Sequence, residues 1–440
     1  MGNYGKKIWG WMMYDWAAQP YNTLLITFIF APYFTSSVVG DPVLGQSLWG
    51  VMTACVGITL AFLGPISGAI ADTTGPRKPW LVAFSLLYVV GAVGVWWAVP
   101  GMDSVTGILI LFGIGMLGME LSQVFVNSML PEMGETKDLG RIGGNAWALG
   151  YVGGLLLLFV MLLFLAENGE GKTLLGNAPL FGLDPELREG TRSVGPLTAL
   201  WYIVFMIPFF LWVPDTKKKA TTTGAIGRAF SELFATIKRL PNNLSFASYL
   251  VSSMFYRDAL LGVYAFGGIY ASGVLEWSVV QIGIFGIISG VAAAIFTYIG
   301  GFADKAYGPK WVITVSVLVL IVVCLLIIGT SRDQFFGVVL AEGSSFPDTL
   351  FLVCGAGIGA AGGSLQSASR TMLVLQADED RITEAFGLYA LAGRATAWMA
   401  PSLIALVTYL TQNQRLGISP VVVLFLIGLC LLFWVETDKE

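Results

Sequence analysis

The chain contains no histidine and little charge of either sign: 12% of its 440 residues are Asp, Glu, Lys or Arg, against about 25% in an average soluble domain. The first absence removes imidazole general bases, histidine-ligated zinc or haem, and the H-E-x-x-H metalloproteases, so carboxylates must carry any proton chemistry. The second, with 56% hydrophobic residues and a mean hydropathy of +0.75, argues against a water-soluble enzyme or a disordered chain. Cysteine is scarce too. Cys55, Cys324, Cys354 and Cys430 all lie in apolar runs without CxxC spacing, which argues against a disulfide framework or a zinc site and predicts buried, inert thiols.

What is abundant is apolar sequence in long runs. A hydrocarbon core of roughly 30 Å needs about 20 residues of helix, and twelve stretches meet that length: 9–35, 47–71, 80–99, 106–130, 142–166, 195–214, 244–272, 278–301, 311–330, 348–376, 385–411 and 418–436. The first follows Lys6 and Lys7 but is too long for a signal peptide, carries Asp15 and lacks a clear cleavage site, so it reads as a span. With the N-terminus placed inside, 16 of the 24 basic residues fall on the inner side and 5 on the outer, leaving Arg257, Arg370 and Arg394 within spans. That bias predicts both termini in the cytoplasm. The net charge of −4 arises in acidic outer loops and gives no support for nucleic-acid binding.

A loop is repeated. Gly68, Asp72, Gly75, Pro76, Arg77, Lys78 and Trp80 between spans two and three are echoed by Gly300, Asp304, Gly308, Pro309, Lys310 and Trp311 between spans eight and nine. The two aspartates are 232 positions apart, with six spans between them. An even number of crossings puts both copies on the cytoplasmic side and gives the halves parallel topology. Glycine permits a tight turn between antiparallel helices, and a carboxylate beside basic residues can tie helix ends by charge-assisted hydrogen bonds.

The first copy resembles the G-x-x-x-D-x-x-G-R-K signature of the major facilitator superfamily, with Pro76 inserted before Arg77 and Lys78; the second copy, through Asp304, Gly308 and Lys310, is looser. The resemblance implies an all-α integral membrane protein: twelve transmembrane helices in two pseudo-symmetric six-helix bundles around a central cavity, working by alternating access, with the repeated loops as a cytoplasmic gate. The expected division is 1–214, a cytoplasmic linker at 215–243 and 244–440. Within the linker, Ile226, Phe230, Leu233, Phe234, Ile237 and Leu240 form one apolar stripe with Arg228, Lys238 and Arg239 off it, the pattern of an interfacial amphipathic helix. The long acidic outer loop at 167–194 has no assignable chemistry.

Charges inside spans cost about 2.5–3.5 kcal/mol each on the insertion scale and commonly mark transport pathways. Here they are Asp15, Glu120, Arg257, Asp258, Arg370 and Arg394. Helical spacing puts Asp15, Gln19 and Asn22 on one face, Glu120, Gln123 and Asn127 on another, and Gln366 with Arg370 on a third. The bland alternative is a set of structural ion pairs, since three acids balance three bases. In the superfamily the first helix of each three-helix unit lines the cavity, and five of the six charges fall on spans one, four, seven and ten.

A narrower likeness covers nearly the whole chain. Tyr14-Asp15-Trp16-Ala17-Ala18-Gln19-Pro20-Tyr21, Asn127-Ser-Met-Leu-Pro131-Glu132, Gly144–Gly154, Gly362–Arg370 and Phe386–Ala397 are similar to segments of the autophagy-related vacuolar amino-acid effluxers and their bacterial relatives. Departures stand at Ala18-Gln19, Tyr256-Arg257-Asp258-Ala259 and Arg394, where that family has Asn-Ser, Y-N-D-G and lysine. The resemblance implies amino-acid export. Arg257 adds a planar cation that equally suits a carboxylate- or phosphate-bearing solute.

The expectation is therefore a non-enzymatic, proton-coupled transporter of a small polar or anionic solute, with Asp15, Glu120 and Asp258 as proton carriers. Arg257, Arg370, Gln19, Asn22, Gln123, Asn127, Gln366, Tyr389 and Arg394 are the substrate-binding candidates. It needs no cofactor or metal, works as a monomer in the bilayer, and belongs in a bacterial inner membrane, or a vacuolar membrane if eukaryotic. A lipid-like amphipathic substrate is the rival within the class; a membrane enzyme or a non-transporting sensor lies outside it.

Overall fold

A backbone inside hydrocarbon must satisfy its own hydrogen bonds, so apolar runs of membrane length form helices. The computed structural model describes residues 3–74, 76–129, 132–134, 136–215, 244–376, 389, 392–393 and 395–436, and every predicted span is helical within them. Among the described residues, eight helices are long and apolar enough to cross a membrane, including Lys78–Trp97, Thr106–Asn127, Pro309–Gly329 and Phe346–Leu373. The remaining four spans are continuous helices at Thr136–Phe164 (span five) and Leu244–Val274 (span seven), and two irregular ones. Span one passes from α-helix (Asn3–Pro20) into a π-helical stretch (Tyr21–Phe28), a short α-turn (Phe30–Tyr33) and a second π stretch (Phe34–Val38), with Pro20 and Pro32 removing backbone donors. Span eleven turns at 396–398 and restarts as the helix Met399–Thr411. The amphipathic stripe of the linker falls on residues outside those described.

The chain forms two compact units, one of Met1–Asp41, Phe62–Ala229 and Ser278–Gly283, the other of Pro42–Ala61, Phe230–Trp277 and Ile284–Glu440. The N-terminal part of span two thus groups with the second unit. Its Gln46, fully buried, donates through Nε2 to Thr408 Oγ1 at 2.6 Å, while Gln414 Nε2 donates to the Pro42 carbonyl at 2.8 Å. In the first unit, spans three and four approach so closely at Gly91 and Gly115 that a β-carbon on either would strike the other's backbone, the small-residue packing usual in membranes.

The two units share a device. Tyr33, near the C-terminal end of span one, donates to the Ala98 carbonyl at the end of span three at 2.7 Å. Tyr270, near the C-terminal end of span seven, donates to the Thr330 carbonyl at the end of span nine at 2.8 Å. Both rings are buried, and Ala98 and Thr330 are 232 positions apart, the offset of the repeated loop. A two-residue hairpin of β1 (Gln334–Phe335) and β2 (Val338–Val339) decorates the loop before span ten. The buried-thiol expectation is half corrected: Cys324 and Cys354 are buried, but Cys55 and Cys430 are exposed, because helices that face lipid bury apolar surface in the bilayer rather than in protein.

Candidate functional site

In the first unit, Asp15 and Gln19 lie where span one rests on span five. A β-carbon on Gly150 would sit 3.1 Å from the Asp15 carbonyl oxygen, and one on Gly154 would sit 3.1 Å from Gln19 Cγ, so the glycines of span five set that close approach. Asp15, Gln19 and Asn22 are half-buried. Asn22 lies in the π stretch, where its carbonyl accepts from Thr27 Oγ1 at 2.8 Å. On span four, Glu120 and Gln123 are half-buried and Asn127 is exposed. The buried Tyr14 donates to the Met119 carbonyl at 3.2 Å. Since Tyr14 precedes Asp15 and Met119 precedes Glu120, that bond ties the two carboxylate-bearing turns together.

The second unit repeats the arrangement with the opposite charge. Tyr256, before Arg257, shares a hydrogen bond with Ser369, before Arg370, at 2.9 Å, and Tyr249 also donates to the Ser369 carbonyl. Gln366 is half-buried and Arg370 exposed. The Arg257 guanidinium stacks over the Tyr389 ring, 4.0 Å from its centroid, and donates through an NH1 nitrogen to the Tyr389 carbonyl at 3.0 Å. Tyr249 lies parallel to Tyr389, with centroids 6.1 Å apart. No carboxylate stands within 4 Å of Arg257 among the described residues.

Asp258 has a different task. Pro401 lacks an N–H and its ring would clash with the carbonyl four residues earlier, so span eleven cannot run straight through. The restarted helix has no capping side chain of its own at Trp398. Asp258, 1% exposed, supplies one from span seven by accepting the Ala400 N–H at 2.8 Å. Its other oxygen is buried with no hydrogen-bond partner among the described residues. Arg394 and Gly75 lie outside the described residues.

The repeated loops close helix ends. Lys78 donates to the Phe210 carbonyl at the end of span six at 2.7 Å, and Lys310, 232 positions on, donates to the Val435 carbonyl after span twelve at 2.6 Å. Such a cation satisfies a carbonyl that the helix leaves without an internal donor. The carboxylate that binds the first loop is Asp215, which accepts the N–H groups of Arg77 at 2.8 Å and Lys78 at 3.2 Å. Arg77 also reaches Glu132 at 3.4 Å. Gly68 and Asp72 lie in the helix Pro42–Thr74. Asp304 is half-buried, and its carbonyl accepts the N–H of Gly308 at 2.8 Å; the φ of +82° at Gly308 is one that glycine alone adopts cheaply. Sequence spacing found the charges but not Tyr14, Tyr256, Asp215 or the break at Pro401, although Pro401 in an apolar run is a readable break signal.

These features define a membrane transporter of the major facilitator type. Within that class, the chain belongs to the family of vacuole effluxer Atg22-like proteins, which matches residues 37–440. It is 22% identical over 450 residues to the uncharacterized MFS-type transporter YxiO of Bacillus subtilis, covering all of this chain and 97% of that one. It is also 22% identical over 327 residues to autophagy-related protein 22 of Yarrowia lipolytica, spanning 68% of this chain and about half (51%) of that longer protein. Among solved structures, a D-xylose-proton symporter shares the fold with a TM-score of 0.69 at 16% identity, covering 99% of this chain and 98% of that one. A mutant of the nucleoside transporter NupG does so with 0.65 at 14% identity, covering 98% of each. The relatives are transporters rather than enzymes, and the protein is a multi-pass membrane protein acting on a small-molecule substrate.

Proposed function

We propose that the protein moves a small anionic or zwitterionic solute, such as an amino acid or organic acid, by proton-coupled alternating access in a bacterial inner membrane. The observation that carries this reading is Arg257, a cation within span seven whose described partners are a carbonyl and an aromatic face. A guanidinium so placed has unused donors suited to a carboxylate. Arg370 joins it through the Tyr256–Ser369 bond, and Gln366 and Tyr389 complete the binding set. Asp15 and Glu120, joined through Tyr14, are the proton carriers. Asp258 has one oxygen engaged by Ala400 and ranks behind them. Export follows from the kinship with effluxers, a monomer suffices, and the repeated loops form the cytoplasmic gate.

A thermal-shift screen on the purified protein with amino acids, peptides, organic anions and lysolipids tests this reading. Binding to the folded state stabilises it by linkage, so a carboxylate-bearing solute should raise the melting temperature, and Arg257→Gln should abolish the rise. Stabilisation by lysolipids alone would instead favour an amphipathic substrate.

A further inference from the structure

The hairpin between spans nine and ten turns on residues ill suited to water. Its two-residue tip, Phe336-Gly337, has positive φ at both positions, +46° and +83°, the pattern of a type I′ turn, which in solvent favours Asn-Gly. Phenylalanine in the left-handed region is strained. The side chains at the tip are also exposed, Phe336 at 60%, Val338 at 66% and Val339 at 75%, and no charged residue stands between Asp333 and Glu342. An exposed apolar patch of this kind marks contact with a membrane or a protein partner.

The neighbouring helix, Pro309–Gly329, decides between them. Its exposed side chains Trp311, Val315, Leu318, Val322 and Leu325 recur at steps of three and four, which is one face of a helix and, on a membrane-spanning helix, the face toward lipid. Gly329 is the next residue of that stripe. A β-carbon there would meet the Phe336 ring at 2.5–2.7 Å, so the ring lies over the lipid-facing side of the helix. The Phe336 N–H holds it there by donating to the Gly329 carbonyl at 2.8 Å. The 21 residues of the helix rise roughly 30 Å, the thickness of a hydrocarbon core, which sets Gly329 and the tip at its edge. The base of the hairpin is pinned to protein instead. Arg332 donates to Asp348 at 2.9 Å and to the Leu275 carbonyl, and Trp277 Nε1 donates to the same carboxylate at 2.5 Å. Phe335 packs against Phe336 and Phe346, with centroids 4.9 and 5.2 Å away.

We infer that the hairpin at 334–339 is a membrane-interface anchor: Phe336, Val338 and Val339 enter the boundary between lipid headgroups and acyl chains beside span nine. Burying the tip in the bilayer offsets the strain at Phe336 and fixes the depth at which span nine ends. A second copy paired on the hairpin's edge fits less well, because strands of two residues offer few backbone pairs, whereas the stripe leading to the tip faces lipid along its length.

Spin labelling of the full-length protein in phosphatidylcholine nanodiscs tests this. The exposed Cys55 and Cys430 are replaced (Cys55→Ala, Cys430→Ala) and the buried Cys324 and Cys354 are left in place. One nitroxide at a time is then attached through Val338→Cys, Val339→Cys or, as the control on the same loop, Glu342→Cys. Power saturation compares collisions with oxygen, which concentrates in lipid, and with a water-soluble nickel chelate. The oxygen-to-nickel accessibility ratio at 338 and at 339 should exceed that at 342 by about fivefold or more. Phe336→Asn, which gives the turn a residue suited to water, should lower the ratio at 338 by about threefold or more. A ratio at either position equal to that at 342 overturns the anchor, as does a ratio at 338 that Phe336→Asn leaves unchanged. Dipolar broadening at 338 that disappears on dilution with unlabelled protein overturns it too, by placing a second copy on the tip.

Discussion

The two units place charges on one scaffold with opposite sign. In the first, a tyrosine–carbonyl bond joins the turns that carry Asp15 and Glu120; in the second, a tyrosine–serine bond joins the turns that carry Arg257 and Arg370. The partner helices differ as well. Span five runs unbroken beneath Asp15, with glycines admitting span one, whereas span eleven is interrupted by Pro401 and needs Asp258 to cap its restart. The repeat thus preserves how helices are tied and varies what they present. The acid beside the broken helix, Asp258, is committed to the backbone through the Ala400 N–H.

That contrast predicts unequal costs. Asp258→Ala should destabilise the purified protein by about 2–3 kcal/mol, because it strands a buried N–H and opens a cavity, while Asp15→Ala, at a half-buried position, should cost about 1 kcal/mol or less in the same thermal unfolding measurement. Removing the break should sharpen the difference: in a Pro401→Ala background, where the helix can continue, Asp258→Ala should lose at least half of its effect, and strict additivity would break the account. Next in size are the tyrosines. Tyr33→Phe and Tyr270→Phe should each cost about 1–1.5 kcal/mol, since each leaves a buried carbonyl with one donor fewer; a large effect at only one would show that the shared device is not equivalent in the two units. Smaller still, Lys78→Met and Lys310→Met should each cost about 0.5–1 kcal/mol by uncovering the carbonyl end of the last helix in its half.

The smallest effect concerns the loop after span five. Burial pushes the Glu167 carboxyl above its ordinary value, and Arg188, 3.4 Å away, offsets this only in part. A carboxyl raised in the folded state opposes folding while both states are ionised. That opposition is relieved as pH falls through the folded value and is gone below the unfolded one. Unfolding scans of wild type should therefore show a gain on mild acidification that Glu167→Gln, already neutral, lacks.

Much of this was legible in the residues themselves. Twelve apolar runs and the loop repeated at an offset of 232 pointed to the fold, and the charges within spans supplied the titratable groups of the candidate site, because hydrophobic length and buried charge are one-dimensional signals. The ties were not. Tyr14, Tyr256, Tyr33 and Tyr270 look like ordinary aromatic residues in apolar helices, and their partners are mostly backbone carbonyls more than 50 residues away, which carry no sequence identity. Asp258 looked like a free acid because its partner, the Ala400 N–H, exists only where Pro401 breaks the helix.

The division of labour between the units is tested most directly in proteoliposomes loaded with the solute that the stability screen identifies. With wild type, an imposed pH gradient should drive accumulation. Asp15→Asn and Glu120→Gln should lose accumulation yet retain solute exchange across the membrane, whereas Arg257→Gln should lose both. Full pH-driven accumulation by the Asp15→Asn/Glu120→Gln double variant, or undiminished solute exchange by Arg257→Gln, would contradict it.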